Sequence, residues 1–538
     1  VRAYEALADE LVAHGVDTVF GLMGDANMFL IADLVERHGV RYVAARTEGG
    51  AVMMADGYAR VTGRTGVATV TQGPGLASAG NALTVARHAR TPLLLVAGDT
   101  PAEDPLHVQN FDQAPFARAT AGREITVAAP RTVRRDTARA LRAAAEHPGP
   151  VVLNAGMDLQ DTEVDPAGLL PAARRPVSAA PPVPPDPEGL ARLADALRAA
   201  RRPVLLAGRG AEAARGELVE LADHAGAMLA TTVMAAGLFA GHPYHLGVAG
   251  GLARPLTREV LAEADLVAAF GAGVNRWTTD HGALFPRATL AAVDRSAEAL
   301  GARWPVDIAV LGDAATAARA LRAETAAGGR PLWRTEELAA RIASAGPFAG
   351  ITYAAEDGRI DPRAFMEICA RRLPRDRTTV VGVGQFGGWP NLFLDSPAVD
   401  RAFVAPWDFG SIGVGVPFGI GAAVGRPGRP VVVFEGDGSL LTVLGELDTL
   451  ARTGAPVLVV VLDDGAYGAE VRKLAPRGAD TGLATFPGRD LAAVAQALGV
   501  PAHVVCDAES AERAFDASPA GPVLMQVKVA RGVVQRHF

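Results

Sequence analysis

The run Phe434-Glu435-Gly436-Asp437-Gly438-Ser439 constrains the fold more than any other stretch of the chain. Arg429 to Phe434 reads as a short β-branched strand, and Leu440, Leu441, Leu444, Leu447 and Leu450 follow at helical spacing, so Asp437 and Ser439 belong to a strand-to-helix turn. The next apolar run, Val457 to Leu462, is a second buried strand ending just before Asp463-Asp464-Gly465-Ala466-Tyr467-Gly468. If the strands are parallel neighbours, Asp437 and Asp464, 27 positions apart, share the carboxyl edge of a sheet, where open α/β folds bind ligands. Two carboxylates beside a helix start suit a magnesium ion bridging to phosphate oxygens, and Gly436 and Gly438 permit close backbone approach. The same letters also describe a tight turn with acidic helix-start residues.

Strand and helix signals alternate from the N-terminus as well. A helix over residues 3 to 14 ends at His14-Gly15, and the strand Val16 to Gly21 enters the turn Leu22-Met23-Gly24-Asp25. Segments Phe29 to Glu36, Arg41 to Ala45, Gly49 to Arg60, Thr65 to Val70, Gly75 to Arg87 and Pro92 to Ala97 continue the alternation, which predicts a parallel sheet covered by helices. Arg46-Thr47-Glu48-Gly49-Gly50 lies where a strand ends and a helix begins; on its own, Glu48 is an acidic residue favoured there by the helix dipole.

A proline-rich connection over 171–187 separates residues 1–170 from a second unit, 188–322, with a helix from Glu188 to Ala200 and strands Pro203 to Ala207, Met228 to Thr232, Leu266 to Gly271 and Ala288 to Val293. That unit reads as Rossmann-like, although Gly208 and Gly210 form only part of a dinucleotide fingerprint. His242, His245 and His281 lack metal-ligand spacing. A second connection over 323–350, containing Gly328-Gly329-Arg330-Pro331, leads to a third unit, 351–538. The expected fold class is therefore α/β with three doubly wound parallel-sheet domains.

Composition removes several function classes. A formal charge of −7 leaves no basic footprint for nucleic acid. No apolar run reaches the ~20 residues of a membrane helix, and the chain, which starts at Val1 without Met, opens on no signal-type segment. Two cysteines, Cys369 and Cys506, make no disulfide framework and fit a reducing cytoplasm. Only Lys473 and Lys528 are lysines, which argues against Schiff-base chemistry.

The segment from Gly436-Asp437-Gly438 through Asp463-Asp464 to the Gly-Ala-Tyr-Gly turn resembles the thiamine-diphosphate motif of the acetolactate synthase-like enzymes. RTEGGAVMMADGYARVTGRTGVATVTQGPG, from Arg46 to Gly75, is similar to the pyrimidine-binding domain of the same family, and the resemblance extends over essentially the full length. It names the three units: pyrimidine-binding, central Rossmann-like and diphosphate-binding. It implies thiamine diphosphate and Mg²⁺ as cofactors, with Asp437, Asp464 and the carbonyl of Ala466 as metal ligands. Glu48 is the implied catalytic residue: it bonds N1′ of the aminopyrimidine and favours the imino tautomer that takes the C2 proton.

The implied cofactor contacts are Gly24, Pro74, Gln385, Phe386, Gly387, Gly410, Ser411, Ile412, Gly436, Asp437, Gly438, Ser439, Asp464, Ala466, Tyr467 and Gly468. Ile412 corresponds to the apolar wedge that bends the cofactor, and any contact from Gly387 is through its backbone N–H. Met23, Phe111, Asp112, Gln113 and Trp389 are the substrate-pocket candidates. Three departures stand out: Asp463 replaces the usual Asn, Asp112 replaces a Gln, and Phe386-Gly387 removes two polar side chains. In the central unit Gly271 to Arg276 replaces the run common in flavin-containing synthases, so FAD is possible but disfavoured.

The implied reaction is decarboxylation of a pyruvate-like 2-oxo acid, leaving an enamine carbanion that adds to a second carbonyl. The implied assembly is a homodimer or a dimer of dimers, with Glu48 of one chain meeting the diphosphate turn of another. A lyase or non-ligating decarboxylase acting on another 2-oxo acid or a 2-hydroxy ketone is the alternative within this chemistry. Outside it stand a nucleotide-dependent oxidoreductase, motivated by Gly208, Gly210 and Asp294, and an inactive binding subunit, motivated by the departures.

Overall fold

The apolar runs that end in a glycine or acidic turn are strands, and the computed structural model, which describes residues 1–172, 182–325, 333–348, 350–396, 401–518 and 521–534, gathers them into three six-stranded sheets. The first contains β1 (Thr18–Gly21), β2 (Arg41–Ala44), β3 (Gly66–Val70), β4 (Leu93–Asp99), β5 (Glu124–Thr126) and β6 (Pro150–Gly156), in the order β2-β1-β3-β4-β6-β5. The second contains β7 (Pro203–Ala207), β8 (Met228–Thr231), β9 (His245–Val248), β10 (Leu266–Phe270), β11 (Thr289–Asp294) and β12 (Ile308–Leu311), in the Rossmann order β12-β11-β10-β7-β8-β9. The third contains β13 (Thr378–Val381), β14 (Phe403–Val404), β15 (Val431–Gly436), β16 (Val457–Asp463), β17 (Ala502–Val505) and β18 (Val523–Lys528), ordered β14-β13-β15-β16-β18-β17. The pairings within each sheet are parallel, and the first and third sheets share one strand order.

The first and third sheets also share a core. One apolar cluster runs from Phe20 and Val43 through Met54 to Phe418, Val433 and Leu524. Its centre is the crossing of helix Glu48–Thr62 with helix Gly415–Gly425, where glycines let the backbones touch: a Cβ on Gly421 would sit 2.0 Å from the Met54 carbonyl oxygen, and one on Gly57 2.5 Å from that of Phe418. Arg60, buried in the same seam, bonds Asp56 on its own helix (2.7 Å) and Asp408 of the third unit (3.0 Å).

Two expectations change. The helix expected over Leu440 to Leu450 is broken into a helical turn Asp437–Leu440, a 3₁₀ turn Leu441–Val443 and a helix Glu446–Thr453. Leu440, Leu447 and Leu450 are buried, whereas Leu441 is 37% exposed and Thr442 Oγ1 donates back to Ser439 O, closing the first turn. Strands β5, β6, β9, β12 and β14 have no counterpart in the sequence reading; in β9 and β12, half-buried positions such as His245 and an exposed Ala309 leave no continuous apolar run. Gly328 to Pro331 of the second connection, residues 173–181 of the first, and the chain end at His537 and Phe538 lie outside the described residues.

Candidate active site

Strands β15 and β16 are in register from Val431 opposite Val457 to Gly436 opposite Leu462, so the turns that follow emerge side by side. Asp437, 5% exposed, accepts a hydrogen bond from Gly465 N at 3.0 Å. Asp464 accepts from Gln385 Nε2 at 2.9 Å and from Ala466 N at 3.1 Å. Burial, then the Asp464 and Asp463 carboxylates, push the Asp437 carboxyl up to about 8, and burial also raises Asp464. Negative charge concentrated on hard oxygens at a sheet edge is the donor set that a divalent cation neutralises. The described residues contain no cluster of three or more His, Cys, Asp or Glu for a metal, so any ion here relies on the pair and a main-chain carbonyl.

The glycines of this turn answer to aromatic rings. A Cβ on Gly436 would lie 2.8 Å from the Phe386 ring, and one on Gly438 would lie 2.8 Å from Tyr467 and 3.1 Å from Phe486. Phe386, 8% exposed, thus fills the floor under the turn, and Tyr467 packs edge-on against Phe486 with centroids 5.4 Å apart. Gly468 leaves room for the Gln385 amide, which a Cβ would meet at 1.8 Å. Ser439 Oγ accepts from Gly413 N at 2.7 Å, fixing the turn that carries Gly410, Ser411 and Ile412. Ser411 Oγ accepts from Asn81 of the first unit at 2.6 Å, and Ile412 stays 39% exposed. The Gly387 N–H, the one route left to that residue, is donated to Gly384 O instead.

At the edge of the first sheet, Glu48 is the first residue of its helix and half-buried; its carboxylate has no hydrogen-bond or ion-pair partner among the described residues. Pro74 opens the helix Pro74–Ala89, and the Gly24 N–H is donated to Asn27. The pocket candidates divide. Met23 is 52% exposed and Asp112 is exposed, while Phe111 packs against Phe116. Gln113 is turned inward, accepting from Gly73 N (2.7 Å) and donating to Gly98 O (2.8 Å), so it holds the Gly73-Pro74 turn. Trp389 lies in an apolar cluster with Phe393. Glu48 and the Asp437 pair thus stand at the edges of two different sheets.

Four charged residues near these turns escaped the sequence reading. Glu435, fully buried, accepts from the N–H groups of Gly415 (2.8 Å) and Gly436 (3.2 Å), and burial pushes it up to about 7. Lys528 and Gln526 both donate to Asp463 Oδ2, turning the extra carboxylate toward β18. Arg531 Nε donates to Asp464 O. Glu446 is fully buried against the Glu48 turn. Its signal was present: it is four residues before the buried Leu450, on the apolar face of its own helix.

Comparison with known proteins places these features in context. Residues 1–116 match the thiamine pyrophosphate enzyme N-terminal TPP binding domain, 190–321 the central domain, and 382–527 the C-terminal TPP binding domain. The chain is 32% identical over 477 residues to a probable 2-ketoarginine decarboxylase of Pseudomonas aeruginosa, covering 87% of this chain and 83% of that protein. It is 29% identical over 548 residues to the acetolactate synthase large subunit of Parasynechococcus marenigrum (98% and 87% covered). A sulfoacetaldehyde acetyltransferase of Rhodobacter capsulatus is 30% identical over 504 residues (87% and 83%).

Proposed function

The chain belongs to the acetolactate synthase-like thiamine pyrophosphate enzymes, and from that premise we propose that it binds thiamine diphosphate with Mg²⁺, decarboxylates a pyruvate-like 2-oxo acid and joins the retained fragment to a second carbonyl compound. The observation that carries the reading is the pairing of the buried Asp437 with the half-buried Asp464 at one sheet edge, both carboxyls pushed up in pKa chiefly by desolvation. With the Ala466 carbonyl they would hold Mg²⁺, which takes few protein oxygens and completes its shell with phosphate oxygens. When bound, thiamine diphosphate supplies the carbon nucleophile and the electron sink. Gln385 orients Asp464, the exposed Ile412 offers an apolar support on a turn pinned by Ser439 and Asn81, and Glu48 holds the proton at N1′.

The central sheet is given no flavin chemistry in this proposal, because the Gly210 N–H that a pyrophosphate would need is donated to Gly271 O at 3.0 Å. The active form is a homo-oligomer, a dimer or dimer of dimers, acting on small molecules in the cytoplasm. Exposed apolar groups beside both half-sites, Met23, Ile412 and Tyr467, support the assembly. Among the described residues no helix is long and apolar enough to cross a membrane.

Calorimetry with thiamine diphosphate tests the proposal: binding that requires Mg²⁺ and disappears in Asp437→Ala is expected, and absence of binding to the wild-type chain overturns it. Glu48→Gln is expected to retain binding and lose about 10²- to 10⁴-fold in turnover.

A second reading concerns the donor. Burial, then the Asp112 and Asp158 carboxylates, raise Asp99 at the end of β4, so the mouth of the first sheet is acidic. That charge favours a 2-oxo acid with a cationic side chain, the class named by the Pseudomonas aeruginosa relative. Carbon dioxide release from pyruvate and from 2-ketoarginine, with acetolactate measured in parallel, separates the two readings.

A further inference from the structure

Glu446 occupies an unusual place for a carboxylate. It is fully buried in the seam between the first and third units, and its partners lie on both sides. Oε1 accepts from Thr47 N at 2.9 Å and from Thr47 Oγ1 at 2.8 Å, Oε2 accepts from Thr449 Oγ1 at 2.8 Å, and Arg46 N approaches both oxygens at 3.3 Å. The Thr47 hydroxyl, donating to Glu446, accepts from Gly50 N at 2.9 Å as the N-cap of the helix whose first residue is Glu48. One carboxylate therefore fixes the main chain before Glu48 and the rotamer of its cap.

The sequence makes room for this contact. A Cβ on Gly50 would lie 2.1 Å from Glu446 Oε1, so glycine at 50 leaves the carboxylate its place, and a Cβ on Gly445 would press on the Arg46 side chain at 3.2 Å. Around it, Arg46 Nε pairs with Asp448 at 2.5 Å and Arg452 Nη2 donates to Ala44 O at 2.7 Å, tying helix Glu446–Thr453 to the end of β2.

We infer that Glu446 is a positioning residue for Glu48, holding the Arg46-Thr47 turn so that the Glu48 carboxylate, which has no hydrogen-bond or ion-pair partner among the described residues, keeps one orientation toward the cofactor. The inference rests on the proposed role of Glu48. It deepens that role, because the group that orients the proton relay belongs to the same segment as Asp437, nine residues earlier. A fully buried anion is kept where it can be saturated by donors, and here the main donors are the N–H and hydroxyl of the residue before Glu48.

The test compares wild type with Glu446→Gln, which keeps the shape and removes the charge, and with Thr47→Val, which removes only the shared hydroxyl. In the chain without cofactor, amide hydrogen exchange at Thr47 and Gly50 is expected to lose about tenfold or more of its protection in Glu446→Gln. With thiamine diphosphate and Mg²⁺ bound, both variants are expected to slow exchange of the cofactor C2 proton about 10- to 100-fold, with kcat falling alongside while KM and the cofactor Kd stay within about threefold. Thr47→Ser is expected to restore the wild-type rates. Unchanged protection at Thr47 and Gly50, or unchanged C2 exchange, overturns the inference. A wild-type chain that binds no cofactor would instead refute the proposed function, and the amide measurement would still decide whether Glu446 sets the turn.

Discussion

Lys528 Nζ lies 2.5 Å from Asp463 Oδ2, and Gln526 Nε2 donates to the same oxygen at 2.6 Å. One of only two lysines in the chain therefore neutralises the carboxylate that distinguishes its Asp-Asp pair, and Asp463 faces β18 while Asp464 faces Gln385. Removing the cation leaves a 1%-exposed charge with one neutral donor, a loss that costs about 3 kcal/mol for buried pairs. Lys528→Met should therefore lower the urea midpoint clearly, Asp463→Asn should be mild, and the double variant should regain most of the loss. Equal losses in the single and double variants would show that the pair is not coupled. At this scale the places of Asp437, Asp464 and Glu48 were legible because each follows the end of a strand, at a turn or helix start. Gln113 and Trp389 were not: whether a polar or aromatic side chain faces a pocket or the core depends on partners such as Gly73 and Phe393 that the sequence does not place beside it.

Among the elements, the crossing of helix Glu48–Thr62 with helix Gly415–Gly425 sets how the first and third units meet. Because a Cβ on Gly421 would lie 2.0 Å from a backbone carbonyl, Gly421→Ala cannot be relieved by a rotamer change and should cost about 2 to 3 kcal/mol, read from thermal unfolding. Burial and the neighbouring His242 and Arg254 charges depress His245 on β9 to about 4, and its Nε2 is buried without a partner among the described residues. The native chain resists a proton that the unfolded chain accepts near pH 6.5. Its contribution, up to about 3 kcal/mol, is fully present above that pH and is lost progressively as pH falls toward 4. Acid unfolding followed in His245→Phe should show a shallower decline across that window; an identical decline would place the acid sensitivity elsewhere. Apolar runs revealed long strands such as β4, β15 and β16, though not β6, whereas β9 and the break after Leu440 were illegible because half-buried residues and a side-chain bond at Thr442 decide them.

For the whole molecule, the shared strand order of the first and third sheets means that one topology occurs twice, flanking a Rossmann-ordered centre. Glu48 ends up at the edge of one copy and Asp437 at the edge of the other, and within the chain the Glu48 turn is clasped by Glu446. If the half-sites pair between protomers, a chain carrying Glu48→Gln and a chain carrying Asp437→Ala each lack a different half. In a mixed dimer one site then collects both defects and the other collects none. Random pairing of the two inactive chains should therefore restore about a quarter of wild-type turnover, since about half the dimers are mixed and each has one intact site of two. Sites built within single chains would give no recovery at any mixing ratio. Separately purified Glu48→Gln and Asp437→Ala proteins, unfolded together and refolded, supply the measurement, with each variant refolded alone as its background.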